Sequence, residues 1–129
     1  MLFILGSVFA GVAALIHVYI FVLESVRWTH PSTRRIFGTT AEAAEVTKPL
    51  AFNQGFYNLF LAILVIIGLI VAPAASFSIG WTLMMAGVAS MLAAALVLIL
   101  SDRSKARAAT VQGLFPLLAV LALIAGVLI

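Results

Sequence analysis

A histidine, a glutamate and a run of amide side chains interrupt the apolar segments of this chain. His17 and Glu24 are seven positions apart, so on a helix they share a face and stand about 10 Å apart along the axis. Phe21 and Trp28 fall on the same narrow face. Asn53, Gln54, Tyr57 and Asn58 cover an arc of roughly 140° on a second helix. Gln112 precedes Pro116 by one helical turn, so the proline frees the Gln112 carbonyl from its usual donor, and another donor must replace it. An imidazole handles protons near neutral pH, and a carboxyl group serves as acid, base or anchor. Amides and a phenol orient a polar head group. An ionisable side chain within a membrane is costly enough that function is the first hypothesis for it.

The elements that must hold these groups follow from composition. Of 129 residues, 65% are hydrophobic and 9% are charged, against about 25% charged in a soluble domain. Such a chain cannot cover a water-facing surface, and the lipid bilayer becomes its expected surroundings. Apolar segments run over Leu2–Leu23, Pro49–Ala72, Ile79–Leu100 and Ala109–Ile129. Each is about 20 residues, enough to cross a hydrocarbon core of about 30 Å as a helix. The expected fold is all-α, an integral membrane four-helix bundle forming a single domain over residues 1–129. The first segment lacks a basic flank and is too long for a secretory signal, so it is expected to be a retained span. Gly6, Ala10 and Ala14, then Ala86, Ser90 and Ala94, then Ala119, Ala122 and Gly126 repeat small residues at helical spacing. Such faces allow close helix packing within the bundle or between subunits of a homo-oligomer. TTAEAAEV reads as a short interfacial helix with a Thr39–Glu42 capping box, and Pro49 suits the first turn of span two. Pro73 and Gly80 punctuate the second connection, Trp28 and Trp81 suit interface anchors, and Met84, Met85 and Met91 suit gap filling.

Charge placement sets orientation. Arg27, Arg34, Arg35 and Lys48 lie in or beside the first connection, and Arg103, Lys105 and Arg107 in the third, while APAASFSIG in the second carries no charge. The positive-inside rule places the first and third connections in the cytoplasm and both termini outside. The basic residues then serve as topology determinants and contacts for anionic lipid, and no nucleic acid is expected as a partner. The chain has no cysteine, which excludes a disulfide framework and a thiol nucleophile. With two histidines and a seven-residue step to Glu24, no metal site is expected, and no cofactor is called for.

In this orientation the end of span one and the starts of spans two and four meet at the cytoplasmic side. The expectation is a cytoplasm-facing polar pocket in the inner half of the bilayer, built from His17, Glu24, Asn53, Gln54, Tyr57, Asn58 and Gln112. The same residues also suit structural work. Amides and Tyr57 can sit at the interface or join helices, His17 can bond an asparagine, and Glu24 can pair with Arg27 or Lys48.

HVYIFVLESVRWTHPSTRRIFG, TKPLAFNQGFYNLFLA and QGLFP together resemble the small bacterial membrane proteins grouped as domain of unknown function 1304. The resemblance runs over essentially the whole chain. Its pattern carries over onto His17, Glu24, Trp28 and Pro31, onto Asn53, Gln54, Gly55, Tyr57 and Asn58, and onto Gln112 and Pro116. Ser25 and Leu59 stand where many relatives have methionine and glycine. The resemblance implies a four-span protein of the bacterial inner membrane and supplies no activity. Three functions stay open on the residues: binding or conversion of an amphipathic small molecule or lipid, proton-coupled transport of a small molecule, and a structural or assembly role.

Overall fold

A computed structural model describes residues 1–129. Helix α1, Leu2–Phe21, runs on as a π-helical turn over Val22–Val26. Helix α2 covers Pro31–Phe37, α3 Ala41–Ala74, and α4 Phe77–Ser101. A 3₁₀ turn at Arg103–Lys105 leads into α5, Ala106–Leu128. Four of these helical stretches are long and apolar enough to cross a membrane, and the chain is a multi-pass membrane protein.

The four long helices form a closed ring. α1 packs on α3 and α5, α4 packs on the same two, and α1 and α4 barely touch across the diagonal. Small and flexible side chains fill the centre: Ala10, Ala13 and Ala14 meet Ala62 and Val65, Met84, Val88 and Met91, and Ala119 and Leu123. Lipid gives no hydrophobic drive between helices, so close approach of small residues supplies the packing. Large apolar side chains such as Ile4, Leu15, Phe60, Ile70, Leu96 and Leu121 point outward, where hydrocarbon replaces water as their neighbour.

Contacts between distant residues fix which ends share a side. The rings of Phe3 and Phe77 lie 4.8 Å apart, which puts the amino end of α1 beside the second connection. Gly126 packs on the Phe3 backbone, so both termini lie at that end. At the other end Lys105 Nζ donates to the Phe37 carbonyl at 2.9 Å, tying the third connection to the first.

Several local expectations need correction. The acidic segment is not a separate helix: α3 is continuous for 34 residues and contains Pro49. At about 51 Å it is far longer than a bilayer core, so its first turns extend beyond the apolar span. Pro49 therefore removes a donor where Glu45 is exposed, and solvent can replace it. The cap is Thr40, whose hydroxyl accepts from Ala43 N at 3.1 Å, one residue on from the Thr39–Glu42 pairing. Pro31 and Gly38 bound helix α2. His30 caps it, Pro31 occupies its first turn, and Gly38 ends it at φ 64, a left-handed conformation that glycine adopts without steric cost. On α4 the small stripe Ala86, Ser90 and Ala94 is exposed. The buried face is Gly80, Met84, Gly87, Val88, Met91 and Ala95, where glycines allow close approach and the flexible methionines fill the gaps. Asp102 caps the last connection, accepting from Ser104 N at 2.9 Å and from its hydroxyl at 2.6 Å. Those bonds hold the Asp102 carboxyl below its ordinary range.

Candidate functional site

The end of span one is the most irregular membrane-spanning backbone in the protein. Over Val22–Val26 the helix widens to a π turn, a feature that recurs at functional sites because it re-aims side chains. Glu24 lies in this turn. Its Oε2 accepts from Asn58 Nδ2 at 2.9 Å, and the next residue, Ser25, donates its hydroxyl to the Phe52 carbonyl at 2.8 Å. Two adjacent residues of the widened turn thus bind two turns of α3.

Gly55 permits this approach. A Cβ there would lie 3.0 Å from Ser25 N and 3.1 Å from Glu24 Cβ, so the π turn rests on bare backbone. On α3 the buried residues include Ala51, Gly55, Ala62 and Val65, steps of four, seven and three along one helical stripe. Asn58 falls within that stripe and is half-buried. Phe21 and Phe56 close the contact from the side, with ring centroids 5.1 Å apart.

The same turn opens outward onto a groove of about 280 Å³ lined by Glu24, Trp28, Thr47, Leu50, Ala51 and Gln54. One wall is fixed by hydrogen bonds: Trp28 Nε1 donates to Thr47 Oγ1 at 3.1 Å, and Thr47 donates onward to the Ala43 carbonyl at 2.7 Å. Trp28 also packs on Phe37, centroids 5.0 Å apart. The groove mixes a carboxyl group, an amide and a hydroxyl with leucine, alanine and indole, so it presents polar and apolar surface together.

The residues singled out in the sequence do not all converge. Glu24 and Asn58 bond to each other, and Gln54 lines the groove beside Glu24. Asn53 and Tyr57 are exposed. Each is two positions from Gly55, about 200° around the helix from the inward stripe, so they face away from the bundle. His17 is buried, and its Nδ1 bonds the Ala13 carbonyl of its own helix at 2.9 Å rather than an asparagine. Gln112 is half-buried on α5 and joins neither Glu24 nor Asn58. Arg27 turns away from the carboxyl group, its guanidinium 3.3 Å from His30 Nδ1. Sequence reasoning missed Ser25 and Thr47. Ser25 is adjacent to Glu24, but only the π turn aims it at α3. Thr47 lies between the stretch read as a separate interfacial helix and the start of span two at Pro49.

Searches of curated proteins and of solved structures each return no match to the chain. A family model does match, over residues 11–124, and that span takes in every polar residue described above. Its description is "Protein of unknown function (DUF1304)", and the chain belongs to that family.

Proposed function

We propose that the protein binds, or acts on, an amphipathic small molecule or lipid at the groove beside Glu24. The observation that carries this reading is the double placement of the Glu24 carboxyl group. Asn58 holds one oxygen from the bundle side, while the side chain borders the groove on the other. A head group that donates hydrogen bonds fits the remaining carboxyl oxygen and Gln54. An apolar portion fits along Leu50, which is 71% exposed, toward the acyl region. A groove wall fixed by the Trp28–Thr47 bond is pre-organised, which lowers the ordering cost of binding.

A structural role for the same residues has support of its own, because the Glu24–Asn58 and Ser25–Phe52 bonds join α1 to α3. Native mass spectrometry on gently extracted protein separates the two. For the binding reading, wild type carries a discrete adduct, and Gln54→Trp, which fills the groove without touching the Glu24–Asn58 bond, loses it at unchanged melting temperature. An adduct fully retained in Gln54→Trp, or none in wild type, contradicts the groove as a site.

The orientation belongs to the same proposal: the protein sits in the bacterial inner membrane with both termini outside and the groove opening toward the cytoplasmic leaflet. Its support is the position of Arg27, Arg34, Arg35, Lys48, Arg103, Lys105 and Arg107 at the end of the bundle away from the termini.

A further inference from the structure

We infer that the first and third connections together form a second site, which holds the head group of an anionic phospholipid. α2 and the start of α5 enclose a cleft of about 520 Å³ whose lining includes Arg35, Lys105 and Arg107. These cations come from positions some 70 residues apart in the sequence, brought together by the bond from Lys105 Nζ to the Phe37 carbonyl. That bond uses one of three ammonium donors, and the other two remain for a ligand. Arg35 and Arg107 are exposed, so their guanidinium groups can close on a phosphodiester with paired donors. The nearby carboxyl group, Asp102, is bonded to Ser104 N and Oγ; it spends the Ser104 hydroxyl and leaves the phosphate to the cations.

The apolar lining favours lipid over free phosphate. Ile36 and Val111 border the cleft, and each is 56% exposed. Side chains of this kind beside three cations suit a molecule with a charged head and an acyl chain, at the depth where basic residues between membrane helices hold anionic head groups. The volume lies within the range of about 300–1,000 Å³ common for small-molecule sites. The cleft is separate from the Glu24 groove: Phe37 lines one and Trp28 the other, with their rings in contact.

The test is a titration of the purified full-length protein with phosphatidylglycerol and, separately, phosphatidylcholine of the same chains, read as lipid adducts by native mass spectrometry. Wild type is expected to retain one phosphatidylglycerol in preference to phosphatidylcholine. Arg35→Gln with Arg107→Gln lowers that preference about tenfold, while Arg103→Gln, which removes one charge at the same end but outside the cleft, leaves it within about twofold and changes it less than Arg107→Gln alone. If the double variant accumulates poorly, Arg107→Gln alone is read for the same direction of change. Equal retention of the two lipids by wild type, or an equal loss in Arg103→Gln, overturns the site. Displacement of phosphatidylglycerol by millimolar inorganic phosphate overturns the lipid assignment. The cleft adduct is the one that Arg35→Gln with Arg107→Gln loses and Gln54→Trp keeps, and the groove adduct is the reverse, so failure here is distinguishable from failure at the groove.

Discussion

At the scale of single residues, the contact of Gly55 with Ser25 and Glu24 holds the candidate site in place. A methyl group at Gly55 would lie 3.0 Å from Ser25 N and 3.1 Å from Glu24 Cβ, with Ser25 Oγ nearer still. Gly55→Ala is therefore expected to destabilise the bundle by about 1–3 kcal/mol, somewhat offset by the better helix propensity of alanine. Thermal unfolding in detergent reads this as a lower midpoint, and adding Ser25→Ala restores part of it by removing the closest atom. An unchanged midpoint in Gly55→Ala would show that α1 and α3 do not approach as closely as described. Glu24 stood out in the sequence as a carboxyl group at the end of an apolar segment. Its partner was not. Asn53, Gln54, Tyr57 and Asn58 look alike as polar interruptions, and only the stripe through Ala51, Gly55 and Ala62 separates Asn58 from Asn53 and Tyr57.

At the scale of elements, apolar length alone identifies the four spans, since a bilayer demands continuous helices of a known length. The ends were harder to read because the rules that mark them are local and compete. Pro49 reads as a helix start, yet α3 passes through it where its missing donor costs little outside the apolar span. Pro31 and Gly38 both break helices from within, yet here they bound one, the capped seven-residue helix Pro31–Phe37. The small residues of α4 were ambiguous for another reason, since such a face can pack within the bundle or between subunits. Ala86, Ser90 and Ala94 have the spacing of a packing face, but Gly80, Gly87 and the methionines between and after them fit the bundle instead. The π turn left no trace in the sequence, because widening of a helix by one residue per turn depends on what it packs against, here the backbone at Gly55 and the carbonyl of Phe52.

At the scale of the whole molecule, the two ends of the bundle differ in kind. One end gathers the termini and an uncharged turn; the other carries the basic residues, the Glu24 groove and the cleft between the first and third connections. Charge segregation of this degree was legible from the sequence because topology places alternate connections on one side. The joining of those connections through Lys105 and Phe37 was not, since it depends on how α2 folds back. A reporter active only outside the cytoplasm is expected to give signal when fused after Ile129 and none when inserted at Lys105. The reverse pattern would contradict the orientation and move both grooves to the other leaflet.

The central claim is that Glu24 serves a ligand rather than the fold, and Glu24→Gln tests it most directly. Glutamine keeps the shape of the side chain and an oxygen that can accept from Asn58, while it removes the charge and changes what the groove offers a ligand. Native mass spectrometry and thermal melting of the same preparation should show the co-purifying adduct lost and the melting midpoint within about 1 °C of wild type, since a bond kept in kind changes stability little. A retained adduct together with a large fall in the midpoint would contradict the claim and assign Glu24 to holding α1 against α3.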